Sequence, residues 1–391
     1  MISLLSSYAD FWGPLRLLGS YSFLLGLGFF ISAFAVVFAL PRIWQNLPYD
    51  FGKIFNRDGK FLMNIEGKEV PLEEGKKPEG KPTGSGYYIF LLSVPFLVLF
   101  VPNMDIADYG LIVLMFCAMM SGYLDDIATS RGQGWSGAKK GFIDLAICLL
   151  AAMILFYMLR GDNGEVSVWW PFVKGSYHFT FWQYVPGAAF LLWFSINATN
   201  CSDGVDGLAG TLSFGTLLFI SALLYVVIGN NNVSSYLLIP YTFNSSIIAA
   251  RWSIVFATIA GSVAGYLWWN AYPSKVLMGD AGSRFLGLLI GLGVLMTGNP
   301  CLIFAIAPVL LANGGAGLVR SGFLKIEHRI RLISKMGGNL DKFLLVGRLR
   351  FPLHDHCRKN LGWSSQQVLT RFMLLQIFLL PLLFMLMLKV R

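Results

Sequence analysis

The sequence predicts an all-α polytopic membrane protein with about ten transmembrane helices. Hydrophobic residues make up 55% of its 391 positions and charged ones only 13%, about half the charged share of a soluble domain. Uncharged runs cover 17–41, 175–202, 207–250, 252–274 and 285–319, each long enough to cross a bilayer core. Lys and Arg, by contrast, crowd into two loops and so orient the chain.

Taken in order, the predicted spans lie near 17–40, 86–103, 109–124, 142–159, 184–200, 208–229, 251–269, 284–297, 301–319 and 372–388. The first ends at Pro41-Arg42 without a small-residue cleavage site, so it is a retained span and not a signal peptide. The third and fourth are short and carry Asp108, Asp125, Lys140 and Asp144 at their ends; tilt or local thinning accommodates such lengths. Residues 166–184, rich in aromatic and turn residues, form a short hairpin at the outer interface. Pro308 and Gly314-Gly315 should bend the ninth span. With no internal repeat and no separate soluble stretch, residues 1–391 read as one integral membrane domain.

Basic residues resist translocation. The loop after the first span holds Arg42, Lys53, Arg57, Lys60, Lys68, Lys76, Lys77 and Lys81, and the segment from Arg320 to Arg371 holds eleven more. Both loops therefore face the cytoplasm, and ten spans then put both termini outside. A smaller basic loop with Arg131, Lys139 and Lys140 falls on the same side. The net charge of +9 is explained by these loops, so no nucleic-acid partner is implied. The cysteines at 117, 148, 201, 301 and 357 form no CxxC pair and support neither a zinc nor a redox motif.

Four polar clusters border the spans, all on the cytoplasmic side in this topology. Asp125-Asp126 ends the third span; adjacent carboxylates beside a bilayer need a cation or basic partner unless they form a solvated helix end. The stretch 197–209 places Asn197, Asn200, Asp203 and Asp206 around Gly204 and Gly207. Such a loop suits a sugar or nucleotide, or a hard cation, although its spacing is not that of a calcium loop. The stretch 270–283 starts at Asn270 and puts Asp280 between Gly279 and Gly282 at a predicted helix N-terminus, as a site carboxylate or as a helix cap. His354-Asp355-His356 could bind a metal, but its basic surroundings fit phosphate better. Acids for a divalent cation, amides for a polar substrate and cations for phosphates together make the inventory of phosphoryl transfer.

In this order the clusters resemble those of the polyprenyl-phosphate N-acetylhexosamine-1-phosphate transferases, most closely the branch that transfers phospho-N-acetylmuramoyl-pentapeptide. The matching stretches are 80–86, Asp125-Asp126, 200–209, 269–283, and 352–356 with Gly362-Trp363 and Val368. The resemblance implies a Mg²⁺-dependent enzyme of the bacterial inner membrane, with cytoplasmic active-site loops and a periplasmic hairpin. It would move phospho-MurNAc-pentapeptide from UDP-MurNAc-pentapeptide to undecaprenyl phosphate, giving lipid I and UMP, and the family implies a homodimer. Asp280 would ligate Mg²⁺, Asp125 would activate the lipid phosphate or attack directly, and Asp126 would support the same centre. Lys140, Asn200, Asp203, Asp206, Asn270, His354 and His356 would bind substrate. The chain departs from the family at Asp355 in place of the middle histidine, Leu277 in place of Phe, Thr129 in place of Lys and Lys81 in place of Thr. Rival readings are a sibling that transfers GlcNAc-1-phosphate to the same lipid, and a transporter. The placing of every charged cluster at one face speaks against the transporter.

Overall fold

The computed structural model describes residues 2–8, 10–50, 62–65, 68–71, 80–173, 175–237, 239, 243–318 and 350–389. Its helices are α1 (Tyr21–Ile43), α2 (Gly86–Phe100), α3 (Ile106–Ser130), α4 (Gly137–Leu159), α5 (Phe181–Ser202), α6 (Leu208–Ala222), the short α7 (Asn231–Tyr236), α8 (Phe243–Asn270) and α9 (Gly279–Met296). They are followed by α10 (Ile303–Ile306), α11 (Pro308–Leu310), α12 (Leu353–Lys359) and α13 (Ser365–Lys389). Short antiparallel ribbons pair β1 (Tyr49–Asp50) with β4 (Lys81–Pro82), β2 (Leu62–Ile65) with β3 (Lys68–Pro71), and β5 (Val166–Val168) with β6 (Tyr177–Phe179). The last ribbon is the hairpin expected within 166–184, and Trp169 anchors it by donating its indole N–H to Thr297 O at 3.0 Å.

Every predicted apolar run carries helix, and seven helices among the described residues are long and apolar enough to cross a bilayer, or eight if a bent pair counts as one. The protein is thus a multi-pass membrane protein. Two predicted spans fall short of that measure. The 15 residues of α2 reach only about 22 Å against a hydrocarbon core of about 30 Å, and Asn197, Thr199 and Asn200 dilute the apolar character of α5. Most of the basic residues on which the predicted orientation rests, at 53, 57, 60, 76, 77, 320, 325, 329, 331, 335, 342 and 348, lie outside the described residues.

The bundle is built around α9, which is buried on all sides from Ala281 to Met296 and packs against α2, α3, α5 and α6. Outside it, α1 runs along α8. One expectation needs correction: charge is not confined to one face. At the end of the bundle opposite Asp125, the buried Arg251 of α8 contacts Asp105 at 3.0 Å and Asp108 at 2.9 Å, and Trp252 donates its indole N–H to Asp108 at 2.8 Å. Pairing is what makes these charges tolerable at a bilayer boundary, and the i,i+3 capping box of Asp105 and Asp108 starts α3 at the same point.

The ninth run breaks as expected, with a 90° bend between Pro300–Ile306 and Pro308–Leu318. Pro308 lacks an N–H and pushes Ala307 out of the helical region, so Ile306 O and Val309 N lose their helical partners. The buried Gln376 of α13 replaces both: its amide donates to Ile306 O at 2.7 Å, and its carbonyl accepts the Val309 N–H at 3.2 Å. In a water-free interior each such group costs about 1–3 kcal/mol if left unpaired. The substitution Gln376→Leu should therefore lower the thermal unfolding temperature in detergent markedly; an unchanged midpoint would contradict this account of the break.

Candidate active site

The C-terminal ends of α3 and α5, the N-terminal ends of α4 and α9, and the loop before α6 converge on a cavity of about 370 Å³. Its lining includes Asp125, Asp126, Lys140, Asp203, Asp206, Asn270 and Asp280. Three of the four sequence clusters thus meet in one place. Asp50, Thr83, Thr129 and Leu277 also line the wall.

The meeting is organised by the first turn of α9. A helix N-terminus leaves its first N–H groups without partners and carries partial positive charge. Here Asp126 Oδ1 accepts the Asp280 N–H at 3.0 Å and Oδ2 accepts the Ala281 N–H at 3.1 Å, while Asp203 accepts the Gly279 N–H. Asp280 itself does not cap its helix, so the capping alternative falls to Asp126 and Asp203. Two glycines permit the approach. A Cβ on Gly122 of α3 would lie 2.2 Å from Asp280 O, and Gly279 has φ +71°, with Asp126 Oδ2 only 2.4 Å from where its Cβ would stand.

Asp280 is thereby free to face the cavity. Its Oδ1 accepts from the Asn200 amide at 2.8 Å and its Oδ2 meets Lys140 Nζ at 3.0 Å. The same ammonium contacts Asp125 Oδ2, and Asp125 Oδ1 accepts the Trp135 N–H at 2.7 Å. Lys140 therefore bridges two carboxylates from different helices in an acid-lined cavity. Trp135 left no signal in the sequence, being one aromatic in a loop.

The other predicted residues divide. Asp206 receives Lys81 Nζ at 3.1 Å, and Lys81 also donates to Ser274 Oγ at 2.8 Å, so a position that departs from the family pattern straps β4 to the cavity rim. Asn270 is committed to the backbone: it accepts the Gly207 N–H at 2.8 Å and donates to Val276 O at 2.7 Å, joining the two cavity loops. Burial, with the Asp280 charge as the next cause, raises the Asp203 carboxyl to about 7.

The two histidines lie outside the cavity lining. His354 packs against Gly204, where an added Cβ would stand 2.2 Å from its Nε2. Its own N–H donates to Asn313 Oδ1 at 2.9 Å, and its Nδ1 lies 3.1 Å from the same oxygen. His356, two positions on in a helix, points elsewhere, and its Nδ1 accepts the Arg350 N–H at 3.2 Å. Asn313, a polar residue inside an apolar run, was the sequence signal for this contact and went unread.

Burial lowers His354 to about 4, so the folded protein holds it neutral where an unfolded chain, with an ordinary value of about 6.5, would bind a proton. The resulting stability is present above about pH 6.5 and is lost as pH falls toward 4, up to about 3 kcal/mol. Asp203, shifted upward to about 7, gains stability as pH falls across the same window, so the wild-type slope reports their difference. His354→Asn should lose less thermal stability than wild type on acidification from pH 6.5 to 4; parallel curves would contradict a neutral, buried His354.

Comparison with known proteins identifies the family. The family model for glycosyl transferase family 4 matches residues 109–298. The chain is 37% identical over 376 residues to a phospho-N-acetylmuramoyl-pentapeptide-transferase of Treponema pallidum strain Nichols, covering 96% of this chain and 93% of that one. It is 28% identical to proteins of the same name from Bartonella quintana strain Toulouse, over 78% of each chain, and from Leptospira biflexa strain Patoc 1 / Ames, over 82% of this chain and 85% of that one. With its cavity at one end of a multi-pass helical bundle, the chain belongs to the phospho-N-acetylmuramoyl-pentapeptide-transferase family and is a phosphoglycosyl transferase.

Proposed function

We propose that residues 1–391 form a single membrane catalytic domain that transfers phospho-MurNAc-pentapeptide from UDP-MurNAc-pentapeptide to undecaprenyl phosphate, giving lipid I and UMP. The cavity faces the cytoplasm of a bacterial inner membrane, the chain crosses the bilayer ten times with both termini outside, and the cofactor is Mg²⁺. The observation that carries this reading is the Lys140 bridge between Asp125 and Asp280 in a cavity whose other charged walls, among the described residues, are acidic.

Two polyanions must meet there, and bare carboxylates would repel them. A divalent cation fits the donor set. Mg²⁺ typically takes one or two protein carboxylates and fills its remaining positions from water and phosphates. Among the described residues Asp280 stands free of helix capping, and no three acidic, His or Cys groups form a protein-only cage. Asp280 would hold the ion, which when bound neutralises the donor pyrophosphate.

The chain's own groups have separable tasks in this reaction. An acceptor phosphate oxygen bonds to the sugar-linked phosphorus, and the bond from that phosphorus to UMP breaks. Lys140 turns from its carboxylates to a substrate phosphate. Asp125 is 1% exposed and its Oδ1 stays held by the Trp135 N–H when Lys140 turns away, which leaves one oxygen to orient and deprotonate the acceptor. Asp126 positions Asp280 through the backbone of α9. Asn200, Asp203 and Asp206 shape the donor site, Asn270 supports it, and neutral His354 contributes shape and hydrogen bonding rather than charge. The bend at Ala307–Pro308 is the proposed entry for the lipid tail.

Purified protein with Mg²⁺ and undecaprenyl phosphate should release UMP from UDP-MurNAc-pentapeptide and not from UDP-GlcNAc. Release from UDP-GlcNAc alone would move the chain to the sibling activity, and release from neither would sink the reading. Without acceptor lipid, the account of Asp125 predicts no stoichiometric burst of UMP; a burst equal to the enzyme concentration would establish a covalent intermediate instead.

A further inference from the structure

Helices α4 and α9 meet through two charge contacts one helical turn apart. At the cavity, Lys140 of α4 faces Asp280 of α9 at 3.0 Å. One turn deeper the polarity reverses: Asp144 of α4 meets Arg284 of α9 at 3.1 Å, each side chain only 2% exposed. Lys140 and Asp144 are four residues apart on one helix face, as are Asp280 and Arg284. The guanidinium of Arg284 also donates to Ser121 Oγ of α3 at 3.1 Å and places Nη2 3.7 Å from Asp280 Oδ2. One buried side chain thus ties together the three helices that carry Asp125, Lys140 and Asp280.

Stability alone is a poor reason for such a pair, because well-packed apolar residues in place of a buried ion pair are commonly as stable or more so. Its position suggests another. Lys140 has to leave Asp280 in order to meet a phosphate, and Arg284 is then the protein cation that still faces Asp280 Oδ2 among the described residues. We propose that Arg284 is a positioning residue for Asp280, and that the Asp144–Arg284 pair is the lower rung of a charge ladder that keeps the Asp280 carboxylate directed into the cavity while Lys140 is engaged with substrate. This rests on the assignment of Asp280 to the reacting centre. A planar guanidinium suits the task because its fork reaches two carboxylates and a hydroxyl in fixed geometry, which a lysine ammonium cannot reproduce.

The test uses the full-length protein in detergent, with thermal unfolding, binding of UDP-MurNAc-pentapeptide and UMP release measured on the same samples. The double variant Asp144→Leu, Arg284→Met removes both buried charges at similar volume. At saturating Mg²⁺ it should unfold near the wild-type temperature and bind the donor with unchanged Kd, yet lose about tenfold or more in kcat, the usual cost of removing a partner that orients a site carboxylate. Wild-type kcat in this variant would overturn the proposal and leave the pair as packing. If the double variant does not fold, Arg284→Lys decides: a fall in kcat at unchanged donor KM is expected, and wild-type kcat would overturn the proposal. Asp280→Asn in the same series separates the two levels of the reading. An active Asp280→Asn would sink the assignment of Asp280 and this inference with it, whereas an inactive one beside a fully active double variant would sink this inference alone.

Discussion

The hold of Asp126 on the first turn of α9 is the contact on which the rest of the site depends. It joins a carboxylate at one helix end to the N–H groups at another, where partial charge and unpaired donors favour an anion. Through it α3 and α9 approach until Gly122 touches the backbone of Asp280. Because Asp126 and Asp203 satisfy the helix end, the Asp280 side chain is left to meet Asn200 and Lys140. Asp125 and Asp126, adjacent in sequence, thereby do different work: one faces the lysine, the other a backbone.

The membrane imposes the second constraint, since a polar group there must find its partner inside the protein. Gln376 meets it at the broken helix, and Asp105, Asp108 and Arg251 meet it at the far end of the bundle. Beneath the cavity Arg284 and Asp144 do so as well. A bundle that compensates its charges in this way tolerates a cavity in which, among the described residues, carboxylates outnumber cations.

Much of this was legible in the residues. Long uncharged runs announce helices because no other backbone arrangement of one chain segment satisfies itself in lipid, and the aromatic, turn-rich stretch at 166–184 announced its hairpin. The motifs holding Asp125, Asn200, Asp203, Asp206 and Asp280 were legible as polar clusters, and the fold brings Asp125, Asp203, Asp206 and Asp280 to one cavity with Asn200 bonded to Asp280. What the residues concealed is which partner each would take. Asn270 looked like a ligand group and is spent on two backbone groups; His354 and His356 looked like a pair and diverge because they sit two positions apart on a helix. Arg284 sat unnoticed at the edge of an apolar run, because its meaning lies in Asp144, 140 positions away.

The central claim is that Asp126 acts through the backbone of α9 while Asp280 acts on the substrates. It is tested most directly by measuring thermal unfolding and UMP release for Asp126→Asn and Asp280→Asn side by side. An asparagine at 126 presents one acceptor and one donor to two N–H groups, so that variant should lose stability and activity together. Asp280→Asn should lose activity while unfolding near the wild-type temperature. Full stability with lost activity for Asp126→Asn, or a collapse of the fold for Asp280→Asn alone, would contradict the division of labour described here.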